Sequence, residues 1–321
     1  MEWQICTMRS ILATVAWSFV IGGSLVGFFT GCSANGDVPI DQGWPKQLVI
    51  GYNAPEEETE RRERDERYAK LEKYLERTLE VDVKIVHSGS YSASIEAMRA
   101  KKIDICEFGA FSYILAGKLA NAEPLVVRGS QATGPNMYRS LMLTSADSKL
   151  TSLEDVLANA GDLKLAFTDP TSTSGHLVPR GYLDTLGIKP EDKFKEVIYS
   201  NGHSASVLTT IAGKVDVACV ASAALDHMEE KGLVSKSQVR VLWESPPMPR
   251  EPVSIRGDLP SDFKAAVQKA YLTMSENDPE TFALVSGMSQ TPDAVFLPGD
   301  DSLYDYYREI ARGIETMKLL D

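Results

Sequence analysis

The chain is short of cysteine, histidine and positive charge. Of its 321 residues four are cysteine and four histidine, and 33 lysines and arginines face 45 aspartates and glutamates, for a net charge of −12. That balance, with no basic stripe, repels nucleic acid and anionic membrane surfaces, so neither is an expected partner. Histidines, cysteines and carboxylates never fall at metal-ligand spacing and no G-x-S-x-G turn is present, so no metal, no cofactor and no catalysis of those kinds is expected. Cys6 and Cys32 lie in or at the end of an apolar leader, which leaves Cys106 in "DICEF" and Cys219 in "DVACVA" as the thiols of the folded part. Both read as small buried strand residues, and a disulfide between them requires Cα atoms within about 7 Å. No low-complexity tract and no internal repeat is evident in the letters. At 43 % apolar composition burial is not limiting, and the length suits two α/β domains or one large one.

"SILATVAWSFVIGGSLVGFFTGC" is uncharged, mostly apolar and ends in small residues before Cys32. Residues 1–31 therefore read as a signal peptide. Phe29-Thr30-Gly31-Cys32 resembles the lipobox of bacterial lipoproteins, with phenylalanine where leucine is usual, and implies lipidation of Cys32. A start at Met8 would make a tidier signal. The stretch from Ile11 to Phe29 also approaches the roughly 20 residues that span a bilayer, so a retained anchor is the alternative. Either way the folded part lies outside the cytoplasm. Residues 32–46, polar and rich in Gly, Pro and Asp, suit a tether.

After the tether, short apolar strands alternate with helices. "QLVIGYN", "VDVKIVHS", "IDICEFG" and "EPLVVRGS" make one run of strands, and "YRSLMLTS", "LKLAFTD", "FKEVIYS", "VDVACVA" and "QVRVLWES" a second. Such alternation predicts parallel strands in α/β sheets, here two in succession. "PEEETERRERDERYAKLEKYLERTLE" predicts a helix with Tyr68, Leu71, Tyr74, Leu75 and Leu79 on its buried face and a solvated charged one. "PPMPREPVSIRGDLP" is the strongest linker candidate, with five prolines and a return to extended structure, and the remaining tail is mainly helical.

The stretch with the clearest chemistry is "DPTSTSGHLVP", residues 169–179. Pro170 ends a strand, four hydroxyl residues follow, and a helix can begin near Ser174. A helix start offers unpartnered N–H groups and partial positive charge, to which Ser172, Thr173 and Ser174 add rotatable donors. Gly175 is expected to let a ligand approach the backbone without meeting a Cβ. The combination suits a tetrahedral oxyanion; simple helix capping by Ser174 or Thr173 is the plainer reading. His176 is expected to point along its helix, and Pro179 to bend its start.

"SYSASIEAMRAKKIDICEFGAFSYILA", "DPTSTSGHLVPRGYLDTLGI" and "NGHSASVLTTIAGKVDVA" resemble, in order and spacing, the phosphate-, phosphite- and phosphonate-binding proteins of ABC transporters, the PhnD-like family. The similarity runs from about residue 47 to the last helices, and "STSG" is its most specific part. It implies a type II periplasmic binding-protein fold, with two α/β lobes, a hinge and a central cleft. Residues 47–140 and 250–321 would form a discontinuous first lobe and residues 141–249 the second. The resemblance further implies that Ser172, Thr173 and Ser174 hold the oxyanion from the second lobe. Tyr91 and Tyr138 would reach it from the first lobe and the crossover, and His203 would complete the shell. Family members that take aminoalkyl phosphonates place carboxylates opposite the phosphonate; here one such position holds Ala223, while "PREPVS" offers Glu251. A small phosphorus oxyanion therefore stands beside an aminoalkyl phosphonate as the expected ligand, and an ABC permease as the partner of a monomeric, lipid-anchored protein. A sensor for a membrane histidine kinase is the alternative on the same fold, with Cys106 or Cys219 serving if the ligand were arsenite. A hydrolase using Ser174, His203 and Asp169 is more remote.

Overall fold

The structure is a computed structural model that describes residues 43–53 and 58–314; the expected signal peptide, Cys32 and most of the tether lie outside them. Every stretch expected as strand or helix by alternation takes that form. The first run gives β1 (Gln47–Asn53), α1 (Glu58–Leu79), β2 (Asp82–Ser88), α2 (Tyr91–Arg99), β3 (Ile105–Glu107), α3 (Ala110–Ala120), β4 (Ala122–Ser130) and β5 (Gly134–Pro135). The chain crosses through β6 (Met137–Tyr138) into β7 (Ser140–Ser145), α4 (Leu153–Asn159), β8 (Lys164–Phe167), α5 (Val178–Thr185), α6 (Pro190–Lys193), β9 (Glu196–Tyr199), α7 (His203–Ile211), β10 (Val217–Ala221), α8 (Ser222–Glu230) and β11 (Val239–Glu244). It returns through β12 (Met248–Pro249) to β13 (Pro252–Arg256), α9 (Ser261–Leu272), α10 (Met274–Asn277), α11 (Pro279–Ser286), β14 (Ala294–Pro298) and α12 (Asp305–Gly313).

Two sheets result. The first runs β14-β4-β13-β3-β1-β2, with β5 on β4, and the second β11-β7-β10-β8-β9; β6 and β12 pair with each other where the chain passes out and back. The strands are not all parallel. β1 is parallel to β2 and β3, and β8 to β9 and β10, but β13 runs against β3 and β4, and β7 against β10 and β11. Both opposed strands arrive from the other sheet, so neither has a helix on its own sheet to turn it back. The proline-rich stretch expected as a linker thus contains a central strand: all five residues of β13 are buried, and Pro252 stands first, where a missing N–H costs least.

Each sheet is covered on both faces. Leu48, Ile50, Tyr74, Leu75, Phe263 and Tyr271 fill the space between the first sheet and α1 and α9. On the other side Ile95, Met98, Phe108 and Phe111 form a layer that continues into Leu177, Val178 and Ala221 of the second run. At about 1.5–3 kcal/mol for each large apolar side chain removed from water, these layers outweigh any single polar contact described below.

The structure also corrects the reading that there is no repeat. Asp104 accepts from Val49 N–H (2.8 Å) and donates its own N–H back to Val49 C=O (2.7 Å); Asp216 does the same with Lys164 (2.8 and 3.1 Å). The Ser88 hydroxyl bonds Ser94 and the Tyr52 carbonyl, and Ser200 bonds Ser206 and the Phe167 carbonyl. β1-α1-β2-α2-β3-α3 and β8-α5-β9-α7-β10-α8 are one frame used twice, and "SGSYSAS" with "SNGHSAS" is its trace in the letters. Tyr91 and His203 occupy the same position in the two copies, the first residue of the second helix.

Candidate ligand-binding site

The site grows from the C-terminal end of β8, where α/β sheets place ligands. After Phe167 the chain turns through Asp169, whose Oδ1 accepts from both the N–H and the hydroxyl of Thr171 at 2.7 Å. It then forms a single π-helical turn, Thr173–Leu177, before α5 begins. Pro179 falls among the first residues of α5, where its missing N–H costs little; the wide turn comes before it.

Ser172, Thr173 and Ser174 are buried, each 3–4 % exposed. Ser172 Oγ accepts from Gly175 N–H at 3.1 Å, so the cap is Ser172 and not Ser174 or Thr173, as the plainer reading had it. Thr173 Oγ1 accepts from Phe111 N–H at 2.8 Å, which brings the start of α3, on the first sheet, against the hydroxyl loop of the second. Ser174 lies beside the Tyr138 phenol, whose pKa is raised by burial first and then by the Glu251 carboxylate, and the Ser174 carbonyl accepts from Ser140 Oγ at 2.6 Å. A hydroxyl that accepts from a backbone N–H still has its own hydrogen to give. Ser172 and Thr173 are therefore left as donors.

Gly175 has a reason inside the protein as well. A Cβ at that position would lie 1.7 Å from Thr168 Oγ1, so the neighbouring side chain by itself requires glycine. The reading of His176 also changes: it does not simply lie along a helix but is buried and bonded on both ring nitrogens.

The other expected residues stand around this loop. Tyr91 is partly exposed at the start of α2, whose cap Ser90 accepts from Ala93 N–H at 3.1 Å. Burial first, then the carboxylates of Glu251 and Asp169, push its phenol above the usual range. Tyr138, on β6, is 6 % exposed and lies under the Arg250 guanidinium, 5.7 Å from the ring centre. His203 Nδ1 accepts from Ala221 N–H at 3.1 Å, and desolvation pulls the ring down to about 4. The imidazole is thus neutral at ordinary pH, with its proton on Nε2 as a donor. Ala223, near the start of α8, brings no carboxylate.

Glu251 sits between β12 and β13. Its Oε2 is 3.7 Å from Arg250 Nη1 and 3.9 Å from Arg128 Nη1, close enough for charge compensation and too far for hydrogen bonds. Arg128 is itself gripped by Glu107 at 2.5 and 2.7 Å. Among the described residues the buried side-chain atoms with no hydrogen-bond partner are Arg128 Nε, Thr168 Oγ1, Arg250 Nε and Glu251 Oε2. Buried orphans are rare in folded proteins, and here all four belong to the candidate residues or their immediate neighbours.

Sequence reasoning did not find the start of α3, the Glu107–Arg128 pair or Thr168. The glycine of "EFGAFSY" at a strand-to-helix junction was the available signal for the first. The paired charges lie far apart in the chain and left none.

The hydrogen bonds do not run Ser174–His203–Asp169: His203 Nδ1 faces a backbone N–H where an orienting carboxylate would have to be. Cys106 and Cys219 are buried, unpaired and on different sheets, so no disulfide joins them, and burial pushes the Cys106 thiol up to about 12. Among the described residues no cluster of three or more His, Cys, Asp or Glu could hold a metal ion.

The family model described as "ABC transporter, phosphonate, periplasmic substrate-binding protein" matches residues 56–304. The chain belongs to that family. It is 28 % identical over 218 residues to the phosphonates-binding periplasmic protein of Escherichia coli, covering 68 % of this chain and 64 % of that one. It is 29 % identical over 187 residues to the phosphate-import protein PhnD of Mycolicibacterium smegmatis, covering 56 % and 57 %. The matched stretches thus span less than two thirds of these two relatives. Among solved structures, a binding-protein component of a Pseudomonas aeruginosa ABC phosphonate transporter superposes with a TM-score of 0.71 at 25 % identity, covering 84 % of this chain and 89 % of that one. PhnD1 of Prochlorococcus marinus, in complex with methylphosphonate, superposes with a TM-score of 0.70 at 20 % identity, covering 83 % and 97 %. The fold is the type II periplasmic binding-protein fold, and the family match takes in every candidate ligand residue from Tyr91 to Glu251.

Proposed function

We propose that this chain captures a small phosphorus oxyanion outside the cytoplasm and hands it to an ABC importer, anchored by lipid on Cys32 and working as a monomer. The observation that carries this reading is the buried hydroxyl loop facing the start of α3, with lone pairs of Ser172 and Thr173 taken by backbone N–H groups and their hydrogens left to donate. The anion is held by Ser172, Thr173 and Ser174 on the second lobe, residues 141–249. Tyr91 and Tyr138 donate from the first lobe and the crossover, and His203 donates through Nε2. The lobes bend about the β6–β12 pair, and closure follows from contacts that only the closed form makes.

All these donors are neutral. A protein of net charge −12 offers no long-range attraction to anions, so binding rests on local dipoles. Glu251 does not bar the anion, because Arg250 and Arg128 compensate it. With that compensation in place and Ala223 at the other acidic position, the ligand needs no ammonium tail. Phosphate, phosphite and methylphosphonate fit better than an aminoalkyl phosphonate.

A thermal-shift panel of these anions with sulfate and 2-aminoethylphosphonate tests the class, since a ligand of the folded form raises its melting temperature. Calorimetry on Ser174→Ala tests the loop: losing a hydrogen bond to a charged ligand should cost about 1.5–3 kcal/mol of binding. Unchanged affinity for the best anion would remove the loop from the site.

A further inference from the structure

His176 follows the glycine of the hydroxyl loop and is 4 % exposed. Its Nδ1 lies 2.7 Å from the Pro170 carbonyl, and its Nε2 lies 3.1 Å from the Tyr199 hydroxyl and 3.4 Å from Arg180 Nη1. A carbonyl only accepts, so Nδ1 carries the hydrogen; a guanidinium only donates, so Nε2 carries none. The partners thus select one neutral tautomer. The ring is wedged edge-on between Phe167 and Tyr199, with centroids 4.8 and 5.3 Å away.

This ring joins the two ends of the segment that bears the hydroxyls. Inside the turn, Ser172 N–H donates to the Asp169 carbonyl, Gly175 N–H to Ser172 Oγ and Leu177 N–H to the Ser172 carbonyl. None of these reaches Pro170, which has no N–H of its own and is exposed. Among the described residues, His176 Nδ1–H is what ties the Pro170 carbonyl.

We propose that His176 is a positioning residue for the oxyanion loop, holding residue 170 against residue 176 so that the hydroxyls of Ser172, Thr173 and Ser174 converge. The proposal rests on the reading of that loop as the ligand site. Its chemistry is specific about charge. Four polar groups surround the ring: Arg180 on α5, held by both oxygens of Glu191 on α6 (2.7 and 2.6 Å), Tyr199 on β9, and Asp169 at the start of the loop. A second ring proton would point N–H at a guanidinium already committed to Glu191. The neutral ring is therefore the form that suits both partners.

The experiment compares three variants of the full chain with inorganic phosphate and methylphosphonate as probes. His176→Asn keeps an N–H donor near the place of Nδ1, His176→Gln carries one toward the place of Nε2, and His176→Phe keeps only the ring. Kd should rise about tenfold or more in the phenylalanine and glutamine variants and stay within about threefold in the asparagine variant, the size expected of one lost hydrogen bond. Nitrogen-15 spectra of the wild type should show the Nδ1–H tautomer. A role in packing alone would lower the melting temperature of His176→Phe and leave its Kd unchanged, which overturns the proposal, as would an asparagine variant no better than phenylalanine. If the phenylalanine variant does not fold, the asparagine and glutamine pair and the tautomer spectrum decide. Ser174→Ala separates the two levels: if it binds normally the site is misread, whereas if it loses affinity while His176→Phe does not, only the positioning role fails.

Discussion

The two copies of the repeated frame share their carpentry and differ at the openings. In both, an aspartate clamps the first strand and a serine pair stitches the second strand to its helix. They part after the first strand. The first copy reads "NAPEEETERRER" where the second reads "TDPTSTSGHLVP", proline against proline and then glutamates against hydroxyls. The glutamates bring negative charge, which a helix start favours, and the hydroxyls bring none. The third helices diverge too. α3 gives Phe111 N–H to the hydroxyl loop, whereas Ser222 of α8 spends its N–H on the Arg139 carbonyl and its hydroxyl on Arg139 N–H, fastening the crossover. One scaffold thus turns its third helix toward the hydroxyl loop in the first copy and toward the crossover in the second.

The comparison breaks most visibly at the aspartates. Asp104 also pairs with buried Arg256 at 2.9 Å, while Asp216 makes no ion pair among the described residues. Asp104→Ala should cost about 3 kcal/mol of unfolding free energy by denaturant titration, and Asp216→Ala about 1 kcal/mol. Equal losses would mean that the ion pair adds nothing to the shared clamp.

Next in size is the acid response, which belongs to the second copy. His176 is pulled down to about 4 by burial, and His203 likewise, whereas Tyr91 in the first copy does not titrate in acid. Below the ordinary histidine value of 6.5 the unfolded chain takes up a proton that the folded ring refuses. Stability is therefore full above 6.5, falls as the pH drops toward 4 and then levels, with a contribution of about 3 kcal/mol from His176. His203→Tyr, which makes the second copy like the first, should reduce the acid loss without abolishing it, as read from melting temperatures between pH 7 and 4.

The smaller effects sharpen the likeness. Ser94→Ala and Ser206→Ala should each cost about 1 kcal/mol, and by the same amount if the serine stitches are equivalent. Thr168→Val should go the other way: its hydroxyl is buried without a partner, so removing it should raise the stability of the unliganded protein by up to about 1 kcal/mol in calorimetry.

Alternation of apolar strands and helices made most elements legible, because burial on both faces of a sheet forces that pattern. The extended run of β13 was legible but not its place inside the first sheet, because the prolines around it signal a break in the chain and are tolerated where Pro252 opens the strand. The hydroxyl run was legible because its spacing is local. Glu107 with Arg128, and Phe111 with Thr173, are partners brought together by topology, and no local pattern marks them. Gly175 was visible, but the threonine side chain across the turn that also requires it was not.

β13 enters between β3 and β4, two strands that leave the ribosome much earlier. Until residues 252–256 emerge, the first sheet is split down its middle, whereas every strand of the second is already available. The half that carries the hydroxyl loop can therefore settle first as the chain emerges, with the earlier-made segment waiting for its missing plank. A chain truncated before Pro252 should keep a protease-resistant core spanning 140–244 and lose protection across 47–130.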